Sequence, residues 1–258
     1  MNNLKDEIRE LQGFKKAYVQ RINGEYVNDA SFYYTNGLRL LNIPIEFFDE
    51  DKPHDLKIDM ETLVVAGVPT TLDVFRRFGV EPPKPLDIPK ELAGYCGRKI
   101  ATSTIKEAIN STNINYPVFV KPAVHGKLFN GQLVHSKEEL EMFRYCSIDL
   151  DIETPILLSE PVRFISEYRS FVLDGKILDC RKYMGDFTET PDFRIIHGAV
   201  RDYVGAPVAY SIDFGVTDEG STLLVECNDA YSLGPYGFDS FNLTKMFIRR
   251  WKEIIGYK

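Results

Sequence analysis

The sequence predicts a fold in two parts: an N-terminal α/β unit over residues 1–85, and an α+β unit with an antiparallel sheet over residues 90–258. Three observations lead there. Up to Gly79, short apolar runs alternate with helical patterns, as in a parallel sheet with crossover helices. Glu81 to Pro89 then reads EPPKPLDIP, a stretch where neither a helix nor a central strand survives. Beyond it, apolar runs come in pairs joined by Asn-Gly or Asp/Glu-Gly turns, the pattern of hairpins.

Each element follows in order. KKAYVQRI (Lys15 to Ile22) alternates and reads as a strand, and Asn23-Gly24 marks a turn. Asp29 or Ser31 is expected to cap a helix running to about Leu41, with Gly37 as its weak point. IPIEFFD is a second strand. TLVVAG (Thr62 to Gly67) is a third, apolar enough to be buried on both faces. Thr70 or Thr71 should open a helix, LDVFRRFG, that stops at Gly79. In the second part RKIAT and YPVFVKPA are strands, and KLFNGQLVHS reads as strand, turn at Asn130-Gly131, strand. SKEELEMFRYC is a helix capped by Ser136, with Glu139 at the capping-box position. ILLSEPV is a strand. EYRSFVLDGKILDCRKYM folds back at Asp174-Gly175, and PVAYSIDFGV pairs with STLLVECND through Asp218-Glu219-Gly220. SFNLTKMFIRRWKEIIG closes the chain as an amphipathic helix.

Composition narrows the partners. At 258 residues the chain can bury a sizeable core, and 44% hydrophobic with 27% charged residues is an ordinary globular balance. A formal net charge of -7 argues against nucleic acid as the main partner, since a phosphate-binding surface is usually basic. No apolar run approaches the roughly 20 residues that span a bilayer, and the charged start MNNLKDEIRE has no signal core. Neither a membrane nor nucleic acid is expected as a partner. Cys96, Cys146, Cys180 and Cys227 are scattered without a CxxC pair, so a reducing cytoplasm is the default setting. Oligomeric state is open; the apolar face of the last helix can pack internally or make a homodimer.

Three constellations carry chemistry. Asp213 interrupts one apolar run, and Glu226 and Asn228 end the run it pairs with. Glu226 and Asn228 are two apart and share a strand face, which Asp213 can reach from the neighbouring strand. Three hard oxygen ligands suit Mg²⁺, which also keeps water and phosphate oxygens; exposed, solvated acids are the plainer alternative. The second constellation is basic: Lys121 extends the run PVFV, Lys127 lies in the loop HGK, and Arg98 and Lys99 open RKIAT. Such lysines can meet phosphate oxygens as point charges, or simply be solvated. The third is LLSEPVRFISEYRSFV. Pro161 frees a backbone edge from pairing, and such an edge can offer a carbonyl and an amide to a purine. Glu167 can accept from ribose hydroxyls, and Arg169 can hold an anion bidentately, or the two can form a surface pair worth little.

In this order, a basic residue, VFVKPA, a glycine-containing flap, LLSEPV, EYRSFV, a strand with an Asp and VECN, the chain resembles the ATP-grasp superfamily over roughly Arg98 to Gly237. Arg98-Lys99 with Lys121 and Lys127 resembles its clade marked by one arginine and two lysines. The resemblance implies an ATP-grasp catalytic domain over 90–258, behind a unit of the kind that usually precedes it. It implies ATP and Mg²⁺ as cofactors, with Arg98, Lys99, Lys121, Lys127, Glu160, Val162 and Glu167 on the nucleotide and Asp213, Glu226 and Asn228 on the metal. Arg169, Arg181 and Lys182 then serve catalysis, holding a substrate carboxylate or an acyl phosphate. The implied reaction joins a carboxylate to an amine, or to a thiol, with release of ADP and phosphate, on a small molecule, amino acid or peptide. A phosphotransferase on the same scaffold, or a non-catalytic ATP-binding module, is the alternative. The flap AVHGKLFNG is poorer in Gly and Ser than is usual there. Asn228-Asp229-Ala230-Tyr231 also stands where many relatives have Asn-x-x-Pro-Gly, so YSLGPY (Tyr231 to Tyr236) marks an unusual acceptor end.

Overall fold

Three four-stranded sheets carry the chain in the computed structural model, which describes residues 8, 11, 13–50, 52–124, 128–146 and 150–257. In the first, β1 (Lys16–Ile22) lies between β3 (Ile45–Asp49) and β4 (Thr62–Val65), parallel to both, and turns back through Asn23-Gly24 into the two-residue β2 (Glu25–Tyr26). All four residues of β4 are buried, as its apolar run requires. Helix α1 (Asp29–Leu40) is capped one residue earlier than expected: Asn28 Oδ1 accepts from Ser31 N at 3.0 Å. Helix α2 (Val68–Arg77) also begins early, with Gly67 as N-cap. Pro69 falls in its first turn, where a missing N–H costs nothing, so the helix need not wait for Thr70.

The second sheet runs β5 (Ile100–Thr104), β8 (Pro155–Ser159), β6 (Val118–Pro122), β7 (Gln132–Val134), antiparallel throughout. Of the strand expected just before Asn130-Gly131, the described residues Leu128 and Phe129 form a bend, and β7 pairs with β6 instead. Gly131 is needed there because a Cβ would lie 2.5 Å from the Phe119 ring. An unforeseen helix, α3 (Ile105–Asn110), follows β5 behind a full capping box of Thr104 and Glu107. In α4 (Lys137–Cys146), Ser136 Oγ accepts from Glu139 N at 3.3 Å, while the Glu139 carboxylate accepts from His135 N rather than from the cap residue.

The third sheet runs β10 (Lys176–Gly185), β9 (Phe164–Leu173), β11 (Ala209–Thr217), β12 (Thr222–Asp229), again antiparallel and joined by the two expected hairpins. One face packs on α5 (Phe193–Asp202) and the 3-10 turn Lys90–Tyr95 through Ile212, Phe214, Leu224 and Ile196. The other gives Phe171 and Leu173 to the core of the first sheet, completed by α6 (Ser240–Ile255). Trp251 of α6 sits 4.9 Å from Phe75 of α2, ring centre to ring centre. Gly37 is no weak point: a Cβ there would lie 2.0 Å from Thr244 Oγ1 and 2.3 Å from the Ser240 carbonyl, so it lets α1 and α6 touch. Arg250 then locks α6 to the end of β12, holding Asp229 with bonds of 2.8 and 2.6 Å. Residues 81–89 form neither helix nor strand, but Asp87 makes an isolated bridge with Cys227. No helix among the described residues is long and apolar enough to cross a membrane.

Candidate functional site

Register builds the site. Across the third sheet, Arg181 of β10 stands opposite Arg169 of β9, which stands opposite Asp213 of β11, which stands opposite Glu226 of β12. Residues opposed in antiparallel strands share a face, so one row holds two cations and two carboxylates. Asn228 and Ser211 form the next row on that face.

Arg169 and Asp213 are both buried and bonded twice, Nε to Oδ1 at 2.9 Å and Nη2 to Oδ2 at 2.7 Å. Burial raises the Asp213 carboxyl above its ordinary value, with Arg169 opposing and Glu226 and Glu167 reinforcing. Burial works against the Arg169 charge, but Asp213 outweighs it and raises the guanidinium further. Beside this pair, the Asn228 amide donates to Glu226 Oε1 at 3.1 Å and lies 3.5 Å from Asp213 Oδ2. All three residues read from the sequence as metal ligands therefore meet at one spot.

Lys121 reaches them from the second sheet. Its ammonium lies 2.8 Å from Glu226 Oε2 and 3.0 Å from Asp87 Oδ1, with the side chain 18% exposed. Burial would lower the Lys121 pKa, but Glu226 and Asp87 raise it overall. Burial would raise Glu226, but Lys121 and the Asn228 amide hold it below the usual range.

Between the two sheets opens a cavity of about 770 Å³. Ile100, Leu157, Phe119 and Leu133 face it from the second sheet, and Phe164 and Val225 from the third, a spacing suited to a flat ring. Arg98, Lys121, Glu160, Val162, Glu167 and Glu226 line it too. Arg98 donates to the carbonyls of Cys96, Leu224 and Val225 at 3.0, 2.7 and 3.3 Å, so its charge braces the wall. Glu160 Oε2 accepts from Lys99 N at 2.9 Å, while the Lys99 side chain extends into solvent, 91% exposed. Glu167 accepts from the Tyr183 hydroxyl at 2.6 Å. A second cavity, about 740 Å³, adjoins the first through Ile88, Arg98, Ile100 and Leu157 and is also bounded by Asp87.

Two residues fall outside this gathering. Arg181 shares the row but gives its guanidinium to Asp179 of its own strand at the exposed sheet edge. Lys182 points to the opposite face, beside Tyr168, and donates to the Gly185 carbonyl at 2.8 Å. Lys127, with His125, lies outside the described residues. Spacing missed two parts of the site. Asp87 stands in a proline-rich stretch with no periodicity to flag it. Tyr183 and Tyr236, 4.8 Å apart and stacked, cover Arg169, whose guanidinium is 5.0 Å from the Tyr236 ring; YSLGPY pointed to Tyr236, and no sequence signal pointed to Tyr183.

The residues fit Mg²⁺. Two carboxylates and an amide converge, and a turn of the Asn228 amide would present its oxygen, leaving other positions to water and phosphate as Mg²⁺ prefers. Ser211 Oγ, in the adjoining row, is buried with no hydrogen-bond partner among the described residues. No set of three His, Cys, Asp or Glu gathers anywhere among those residues, and this one counts two carboxylates with an amide.

Solved structures share the fold. D-alanine–D-alanine ligase from Bacillus anthracis matches with a TM-score of 0.57 and 16% identity, over 93% of this chain and 98% of that one. The same enzyme complexed with ATP matches at 0.57 and 17%, over 94% and 99%. D-alanyl-alanine synthetase A from Vibrio cholerae matches at 0.57 and 12%, over 95% and 99%. No curated protein matches the chain. The model for family 2 of the ATP-grasp domains in the clade marked by one arginine and two lysines matches residues 95–246, more than half of the sequence and all of the row described above. The chain belongs to this ATP-grasp family, and its cofactors are those of the family, ATP and Mg²⁺.

Proposed function

We propose that the chain is an ATP-dependent ligase that joins a carboxylate to an amine through an acyl phosphate, on a small molecule, amino acid or peptide. The observation that carries this reading is the row Arg169, Asp213 and Glu226 with Asn228 beside it, facing Lys121 across a cavity between two sheets. Glu160 and Val162 offer their backbone to adenine, and Glu167, oriented by Tyr183, accepts from ribose hydroxyls. Lys121, with Lys99 and Lys127, meets phosphate oxygens, and Arg98 braces the wall behind them. Asp213, Glu226 and Asn228 hold Mg²⁺, which neutralises charge on the phosphates when bound. Arg169 holds Asp213 by two bonds and turns Nη1, which Asp213 leaves free, towards Gly234 and the acceptor end. That group holds the substrate carboxylate or the acyl phosphate, with Arg181 nearby at the sheet edge; Lys182 serves only the strand's own carbonyl.

A carboxylate oxygen attacks the γ-phosphorus, the bond to the ADP oxygen breaks and ADP leaves. The amine then attacks the acyl carbon and gives up one proton to the departing phosphate, the C–N bond forms, and phosphate leaves with the former carboxylate oxygen. The test is product analysis with Mg-ATP and a pool of amino acids, peptides and small carboxylates, beside Glu226→Gln. ADP and phosphate that require a carboxylate and an amine together, and fall at least about a hundredfold in the variant, support ligation. A phosphorylated product without free phosphate would assign a phosphotransferase instead.

A further inference from the structure

We propose that Asp87 is a positioning residue: it keeps hold of Lys121 when Glu226 turns to the metal, and so sets how readily the site takes Mg²⁺ with the nucleotide. This rests on the nucleotide and metal assignments proposed above and adds a residue that they lack.

Glu226 has one carboxylate and two claims on it. It now accepts from Lys121 at 2.8 Å and from Asn228 at 3.1 Å. A cation on Glu226 draws on the same carboxylate charge and so weakens its hold on Lys121. A lysine with a side chain only 18% exposed cannot be left without a counter-charge cheaply, because a mostly buried charge that loses its partner keeps the desolvation cost. Asp87 removes that difficulty, since its Oδ1 already lies 3.0 Å from the same ammonium. Lys121 can therefore pass from two carboxylates to one while Glu226 is engaged, and keep its remaining N–H groups for phosphate oxygens.

The backbone shows that Asp87 is placed for this. The stretch around it is without helix or strand, yet its carbonyl accepts from Cys227 N at 2.6 Å. Cys227 sits between Glu226 and Asn228, so that bond pins Asp87 beside the ligand row. Its φ is +42°, a left-handed conformation that Asp, Asn and Gly adopt and most residues avoid. Asp87 also bounds the second cavity while Lys121 bounds the first, so the pair stands where the two meet.

A plain linker staple would use the same backbone bond, so the test must spare that bond. Asp87→Asn keeps the carbonyl, the size and the tolerance for positive φ, and removes only the charge. Binding of a non-hydrolysable ATP analogue to the full chain is measured by calorimetry across a Mg²⁺ series and in EDTA, with the melting temperature as folding control. The Mg²⁺ concentration for half-maximal binding is expected to rise roughly tenfold, while metal-free affinity stays within about threefold. Asp87→Gly, which also accepts the backbone conformation, should give the same split if the Asn variant folds poorly. An unchanged Mg²⁺ requirement, or equal losses with and without metal, would overturn the proposal while leaving the nucleotide site standing. A wild-type chain that binds no analogue at any Mg²⁺ concentration would sink the site assignment and this role with it.

Discussion

Asp213 lies in the middle of a strand whose nine residues are all buried, where burial works against its charge and Arg169, bonded to it twice, supports it. Replacing Arg169 by Met should therefore destabilise the chain by about 3–5 kcal/mol, the usual cost of stranding one member of a buried pair. Thermal unfolding would show it, and Arg169→Met with Asp213→Asn should recover much of the loss. Glu226 makes a different prediction. Its folded-state pKa is held below the unfolded value by Lys121, in spite of burial. The resulting stability is present above the unfolded pKa and is lost as pH falls through the folded one. Wild type should therefore lose its stability advantage over Glu226→Gln as pH drops from 7 through the carboxylate range; a constant difference in urea-unfolding free energy would contradict this. Alternation alone put Glu226 and Asn228 on one face. The partner of Asp213 was not legible, because which residue stands opposite depends on strand register and not on spacing along one strand. Asp87 was illegible for a simpler reason: its place is set by one backbone bond to a strand 140 residues further on.

At the scale of elements, the errors came where a local signal was short or tertiary contact decided. Helix α3 is six residues long, too brief for a period to show, although Thr104-Ile-Lys-Glu107 spells its capping box. Thr104→Ala should cost about 1 kcal/mol, read in urea unfolding. Gly37 was a weak point only on helix propensity. In the fold it is where α1 meets α6, and Gly37→Ala should destabilise by roughly 1–3 kcal/mol through overpacking, although Ala is the better helix former. Adding Thr244→Ala should not restore it fully, since the Ser240 carbonyl still stands 2.3 Å from the new methyl position. The two hairpins of the third sheet, by contrast, were legible, because their turns demand positive φ and carry Asp174, Gly175 and Gly220 where it occurs.

Across the whole molecule, the sequence showed a change of pattern at the prolines, and the structure shows a core that continues past them. Trp251, Phe247 and Met246 of the last helix pack in the same apolar cluster as Val19, Leu63 and Phe75 of the first sheet. Residues 1–85 expressed alone should therefore lack a cooperative unfolding transition in calorimetry, because the apolar side of α1 and α2 would lose its cover. The same packing holds the third sheet as a rigid base under the row of charges, with the second sheet bringing Lys121 over it. In the proposed reaction this arrangement activates a carboxylate by phosphorylating it. An isotope experiment decides that step: the chain is given Mg-ATP, amines and a pool of carboxylates labelled with ¹⁸O, and the phosphate released is weighed. Ligation through an acyl phosphate predicts phosphate carrying one ¹⁸O atom per turnover. Unlabelled phosphate, or ADP formed alongside a stable phosphorylated product, would contradict it.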